Sequence, residues 1–349
     1  MFDLESIIRS NILTIKPYSS ARDDYSGAEG VFLDANENPH GSVGGGNYNR
    51  YPDPYQRELK KKVSRIKQVP VENIFLGSGS DEPIDLLFRI FCIPEKDNVI
   101  ICPPTYGMYQ VSADINDIET KKVNLTEEYQ LNVKEILNSI DQNTKAIFIC
   151  SPNNPTGNLL NPDDIKKVIQ GFPQGIVFID EAYIDFTEQE SWNQYLDIYP
   201  NIVVIQTFSK AWGLAGLRLG MAFASKEIIG FFNKVKFPYN IGLATLEVAE
   251  KALEDIDKKF DFVDQITAER IRLQTELEKV DAVIRIAPSD ANSLLFFVNN
   301  AHEIYKKLTE KLVIVRDRSK VVLCENGLRI SIGTKEENDS FLKEFKSLI

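Results

Sequence analysis

The run Thr207-Phe208-Ser209-Lys210-Ala211-Trp212-Gly213-Leu214-Ala215-Gly216-Leu217-Arg218 brings together an amine, two hydroxyls and a guanidinium. An amine condenses with an aldehyde, and hydroxyls beside a guanidinium hold a phosphate. An aldehyde that also carries a phosphate describes pyridoxal phosphate. The apolar stretch Ile202-Val203-Val204-Ile205 reads as a buried parallel strand, so Lys210 is expected at a strand's carboxyl end, where open α/β sheets build their sites. Taken alone, a lysine after a strand is equally an ordinary solvated amine.

Other strand ends offer the complementary parts. Asp180 closes Ile176-Val177-Phe178-Ile179, and a carboxylate there can ion-pair with a protonated ring nitrogen. The same aspartate suits a helix N-cap or a metal ligand. Tyr183, three residues on, can donate to a ring phenolate. After Lys145-Ala146-Ile147-Phe148-Ile149-Cys150 comes Ser151-Pro152-Asn153-Asn154-Pro155-Thr156-Gly157, where two prolines restrain the backbone and aim Asn154 at the same ring oxygen. Gly77-Ser78-Gly79-Ser80-Asp81-Glu82 joins the strand-like Ile74-Phe75-Leu76 to a helical pattern, so Ser80 and Asp81 sit at a candidate anion site. It lacks the Gly-Lys-Ser/Thr of a Walker loop and the spacing of a dinucleotide fold. Tyr106, expected to open the next helix, is a ring to stack on a cofactor face or an interface tyrosine.

These residues need a scaffold, and the chain supplies an α/β one. From 74 to 224 short apolar runs alternate with amphipathic patterns, giving strands near 74–76, 98–102, 120–124, 145–150, 175–180, 202–206 and 218–224, with helices over 81–93, 105–115 and 162–170. This predicts a large domain, residues 31–240, with a mostly parallel seven-stranded sheet flanked by helices. Helical sequence over 243–280 precedes strands near 283–286, 293–298, 312–316 and 328–332, with helices over 301–310 and 335–348, a smaller α/β domain at 241–349. Residues 1–30 read as an arm packing with that small domain. The glycine-rich loop over 41–47 is a lid, a subunit contact or a plain surface loop.

Composition narrows the chemistry. The 349 residues are 43% hydrophobic with a net charge of −11, and no basic stripe points to nucleic acid or an anionic membrane. No leader pattern opens the sequence and no long apolar run follows, so a cytoplasmic location is expected. Four cysteines without close pairing read as reduced core thiols, and two scattered histidines are too few for a zinc centre or a serine triad. No metal is expected.

The set Ser80/Asp81, Tyr106, Asn154, Asp180/Tyr183, Thr207/Ser209/Lys210/Arg218, in this order, resembles the fold-type I, aspartate-aminotransferase-like pyridoxal phosphate enzymes over nearly the whole chain. Lys16-Pro17-Tyr18-Ser19-Ser20-Ala21-Arg22, Leu33-Asp34-Ala35-Asn36-Glu37-Asn38-Pro39, Asn49-Arg50-Tyr51-Pro52-Asp53-Pro54, Val315-Arg316-Asp317-Arg318 and Leu328-Arg329-Ile330-Ser331-Ile332-Gly333-Thr334 are similar to the histidinol-phosphate aminotransferase family. The resemblance implies a homodimer that moves an amino group between L-histidinol phosphate and 2-oxoglutarate in histidine biosynthesis. It further implies that Tyr51 reaches the partner subunit's cofactor phosphate, that Tyr18 and Asn36 line the substrate pocket, and that Arg316 and Arg329 hold phosphate and carboxylate in alternate half-reactions. Arg316 pairing with an acidic neighbour is the plainer alternative. An aromatic aminotransferase, a threonine-phosphate decarboxylase and a non-catalytic cofactor-binding regulator are the competing functions.

Overall fold

The computed structural model describes residues 2–20 and 29–349. Its larger sheet comprises β1 (Ile74–Ser78), β2 (Asn98–Ile101), β3 (Glu119–Lys122), β4 (Thr144–Cys150), β5 (Ile176–Asp180), β6 (Ile202–Thr207) and β7 (Leu219–Ala224), in the order β1-β7-β6-β5-β4-β2-β3. All pairings are parallel except those of β7, which runs against both β6 and β1. The expected mostly parallel seven-stranded sheet is therefore present. The reversal matters for function: the residues that precede β7 emerge at the same edge as the residues that follow the other strands.

The strands are continuous apolar runs because both faces are covered. Ile74, Leu76, Ile147, Ile149, Val177, Ile179 and Val204 pack to one side. Phe75, Ala146, Phe148, Phe178, Val203 and Ile205 pack to the other. Only β3, Glu-Thr-Lys-Lys, is polar, as suits an edge strand.

A second, antiparallel sheet has the order β10 (Arg316–Asp317), β11 (Gly327–Ser331), β9 (Ser293–Val298), β8 (Val283–Ile286). Leu294, Phe296 and Val298 of β9 pack with Leu273, Leu308, Phe341 and Phe345 from its covering helices. Leu295 and Phe297, on the opposite face, join the core of the large sheet. Arg329 pairs with Leu295 and Arg316 pairs with Arg329, so both arginines stand on the face turned toward the large sheet.

Several expectations need correction. Residues 2–14 pack on the large sheet's helices, not on the smaller unit: Ile7, Ile8 and Ile12 are buried with Phe75, Phe88 and Phe91. Arg9 explains the placement, since its amide N–H and its guanidinium donate to the carbonyls of Ile90 and Arg89 at the end of the helix Asp81–Phe91. Residues 21–28 of the expected arm lie outside the described residues. The helix after β2 begins at Met108, which leaves Tyr106 in the preceding loop. The 243–280 stretch is two helices, Leu243–Glu254 and Ile256–Glu278, and the strand expected over 312–316 pairs only at Arg316–Asp317.

The loop after β1 lies directly on β7. A Cβ at Gly220 would sit 2.3 Å from the Ser80 amide nitrogen and 2.4 Å from the Gly79 carbonyl carbon, and backbone cannot give way as a flexible side chain can. Gly220→Ala is accordingly expected to destabilise the fold by about 1–3 kcal/mol or more. Denaturant unfolding of the two proteins checks it, and an unchanged midpoint would contradict the close approach.

Candidate active site

Five loops at one sheet edge enclose a cavity of about 640 Å³. Ser80, Asp81, Tyr106, Asn154, Asp180, Tyr183, Thr207, Ser209, Lys210, Arg218, Arg316 and Arg329 all line it. Every cofactor residue expected from the sequence, Tyr51 excepted, is thus brought together.

At the floor, Asp180 is buried, and its carboxylate accepts from the Tyr109 hydroxyl at 2.7 Å and from the Ala182 amide at 3.0 Å. Burial pushes its carboxyl up to about 6, against the pull of those two donors. Tyr109 stacks on Phe148 with ring centroids 4.9 Å apart, which fixes its hydroxyl beneath the carboxylate. The next residue, Glu181, is equally buried and accepts from the Ser191 hydroxyl, the Trp192 amide and the Gln206 side chain. Those bonds tie the loop after β5 to β6, and so fix Asp180 relative to Lys210.

Asn154 is oriented from two sides. Its Oδ1 accepts from Arg329 Nη1, which leaves Nδ2 to face the Tyr183 hydroxyl at 3.4 Å. Its loop is docked on the second sheet's Ser289–Asn292 turn: the Asp290 amide donates to the Gly157 carbonyl, and the Leu159 amide donates to Asp290 Oδ2, both at 2.8 Å. Gly157, at φ +89°, has no room for a side chain beside Ser289 Oγ.

Lys210 is half-buried, with Nζ 5.6 Å from the centre of the Tyr183 ring. Burial first, and then repulsion from Arg329, lower its pKa and enlarge the neutral fraction that can attack a carbonyl. Arg218 caps the turn before β7 in the left-handed region, φ +51°, and its guanidinium reaches Asp81 at 3.3 Å and Ser209 Oγ at 3.5 Å. Its carbonyl accepts from the Gly79 amide at 2.7 Å. A Cβ at Gly79 would lie 2.7 Å from Arg218 Nη2, so glycine there keeps the space over the guanidinium open. Asp81 orients this corner, since it also accepts from the Tyr106 hydroxyl at 3.1 Å.

The donor set fits a phosphopyridine. A carboxylate stands ready for a ring nitrogen, an amide and a phenol for a ring oxygen, an amine for the aldehyde, and Arg218, Ser209, Thr207 and the helix N-terminus at Asp81 for the phosphate.

Three expected residues do not line the cavity in the single chain. Tyr18 is 74% exposed, Asn36 is exposed, and Tyr51 is 50% exposed and stacks on Tyr239 at 4.3 Å. Tyr51's backbone is nonetheless fixed, because Glu37 accepts from both its amide and Arg50 at 2.6 Å. Tyr109, which supports the site, and Arg318, which lines it, escaped the sequence reading. Tyr109 hides in a helix's apolar face, whereas Arg318 follows Arg316 at the two-residue spacing of an extended strand and could have been read from it.

A family model for aminotransferases of class I and II matches residues 28–345. The chain is 53% identical over 346 residues to a histidinol-phosphate aminotransferase of Cytophaga hutchinsonii, covering 99% of each chain. It is similar to the solved histidinol-phosphate aminotransferase of Clostridium acetobutylicum, at 25% identity and a TM-score of 0.79 over 86% of this chain and 91% of that one. The Sinorhizobium meliloti enzyme, solved in complex with pyridoxal-5'-phosphate, shares the fold at 20% identity, with a TM-score of 0.79 over 90% of both chains.

Tyr109 is one of two donors that oppose protonation of the buried Asp180 carboxyl. Removing its hydroxyl in Tyr109→Phe should raise the Asp180 carboxyl further, so that the pH below which pyridoxal phosphate binding weakens moves up from about 6 by roughly one unit. Equilibrium dialysis with the cofactor across pH 5–8 measures this, and an unmoved acid limb would remove Tyr109 from that role.

Proposed function

The chain belongs to the histidinol-phosphate aminotransferases of the class I and II aminotransferase family, and on that footing we propose how its residues divide the work. It transfers an amino group between L-histidinol phosphate and 2-oxoglutarate, giving imidazole acetol phosphate and glutamate, in L-histidine biosynthesis with pyridoxal phosphate as cofactor. When bound, that cofactor supplies an aldehyde and an electron-withdrawing ring that acidifies the substrate's α-hydrogen.

Lys210 Nζ would hold the cofactor's aldehyde, and as a free amine it is placed to take and return a proton at the substrate's α-carbon. A positioned base of this kind contributes about 10² to 10⁴ in rate. Asp180 keeps a proton on the ring nitrogen. Tyr183 and Asn154 would donate to the ring oxygen, and Tyr106 would cover one ring face. Ser80, Asp81, Thr207, Ser209 and Arg218 form the phosphate cradle. Arg316 and Arg329 receive the phosphate of one substrate and a carboxylate of the other, since guanidinium forks suit both anions. The reading rests above all on the convergence of Lys210, Asp180 and Asn154 in one cavity that also contains the two arginines.

The working unit is a homodimer in the cytoplasm, with Tyr51 reaching the partner subunit's cofactor phosphate and Tyr18 and Asn36 closing the pocket. Exposed Val31, Leu33, Tyr48, Tyr51 and Phe237 support a subunit contact at this surface, and four buried free cysteines suit a reducing compartment.

Lys210→Ala is expected to abolish turnover of histidinol phosphate with an unchanged thermal midpoint, and a variant with near-normal activity refutes the assignment. The wild type should convert histidinol phosphate and release no carbon dioxide from threonine phosphate; the reverse result would favour the decarboxylase. If Tyr51 acts across the interface, mixing inactive Lys210→Ala and Tyr51→Ala protomers restores about a quarter of the sites, because one site of each hybrid dimer is then intact. No recovery would place Tyr51 with its own subunit.

A further inference from the structure

The cavity contains a third arginine of the second sheet, Arg318, beside Arg316 and Arg329. Arg316 and Arg329 are cross-strand partners on β10 and β11, and Arg318 lies two residues beyond Arg316, its amide donating to the Gly327 carbonyl at 2.8 Å to continue the extended pairing. Two-residue spacing puts Arg318 on the face of Arg316, and all three guanidiniums line the cavity. Asp317 between them is turned elsewhere: one carboxylate oxygen meets His302 Nδ1 at 2.7 Å, and the other accepts from the Ser319 amide at 2.8 Å.

The cluster therefore has no protein counter-anion. Among the described residues no ion pair joins any of the three to a carboxylate, and the groups that act on Arg318 are Arg329, Arg316, Cys324 and Tyr183. The Nε atoms of both Arg318 and Arg329 are buried without a hydrogen-bond partner. The three guanidiniums repel one another, and the half-buried Arg318 and Arg329 hold unused donors in fixed directions beside the exposed Arg316, an arrangement relieved by an anion with several acceptor oxygens.

We propose that Arg318 makes this site selective for a phosphate monoester over a carboxylate. This rests on the reading of the cavity as a histidinol-phosphate site. A phosphate monoester presents three terminal oxygens and nearly two negative charges at neutral pH, whereas a carboxylate presents two oxygens and one charge. Arg316 and Arg329 suffice for a carboxylate. The third guanidinium finds a free oxygen only on a phosphate, so it favours one half-reaction's substrate and adds little for glutamate.

The test is steady-state kinetics of the cofactor-loaded wild type, Arg318→Gln and Arg318→Lys. Arg318→Gln should raise KM for histidinol phosphate about 10- to 100-fold, the cost of one charge-assisted contact, and leave kcat and the glutamate half-reaction nearly unchanged. Arg318→Lys, which keeps the charge and loses the fork, should recover part of that loss. Competitive inhibition by inorganic phosphate against glutamate should weaken about as much in Arg318→Gln. Equal losses for both substrates, or a histidinol-phosphate KM unaffected in both variants, overturn the proposal. A wild type that ignores histidinol phosphate would instead refute the substrate reading, and inhibition by inorganic phosphate would still decide whether Arg318 holds a phosphate.

Discussion

The carboxylate of Asp180, ionised in the middle of a fully covered sheet, is the constraint around which the rest of the molecule is arranged. Its carboxyl moves from 3.8 to about 6, which costs the folded chain roughly 3 kcal/mol at neutral pH. The sign follows from the direction. The native state holds this proton more tightly than the unfolded chain, so the penalty is absent at low pH, grows as pH rises through that window, and is complete above it. Tyr109 and the Ala182 amide limit the cost, and the aromatic column of Tyr109, Phe148 and Phe178 holds the first of them in place. A fold that bears such a charge gains by having it at a place where a ring cation can sit.

The topology explains how so many polar groups reach that charge. Six strands run in one direction, five of them ending in loops that line the cavity, while β7 runs the other way, so Arg218 enters the same edge from the opposite chain direction. At the cavity, the second sheet meets the Asn154 loop. Asp290 and Ser289 fix that loop's backbone, and Arg329 fixes the amide at its tip. An anion drawn to Arg329 is thereby linked, through the Asn154 amide, to the Tyr183 hydroxyl.

The strand-end loops were legible because a strand buried on both faces is an unbroken apolar run, and any polar residue directly after it must point into the same crevice. Lys210, Asp180 and Asn154 could be placed in this way from the sequence. Tyr109 could not, since a tyrosine in an apolar helix face looks like core until its hydroxyl's partner is known. The N-terminal arm was misplaced for a related reason: Ile7, Ile8 and Ile12 announce burial, but which surface buries them depends on carbonyls at the end of a helix some eighty positions away. The strand over 312–316 failed at its edge. Leu312, at φ +61°, turns the chain after the preceding helix, and pairing with β11 starts only at Arg316.

Charge is distributed against the trend of the whole protein. The chain carries −11 overall, yet among the residues that line the cavity the cations Lys210, Arg218, Arg316, Arg318 and Arg329 outnumber the anions Asp81 and Asp180. Surface carboxylates act on an approaching anion only across screening solvent, with a reach of about 8 Å at physiological ionic strength. The guanidiniums act at contact, and those of Arg318 and Arg329 do so from a half-buried setting where screening is weak. Asp81 is already paired with Arg218, and Asp180 is bound by the Tyr109 hydroxyl and the Ala182 amide, so neither pairs with the arginines of the second sheet. Long-range repulsion of anionic substrates is the minor effect, and the local excess of positive charge decides what the cavity retains.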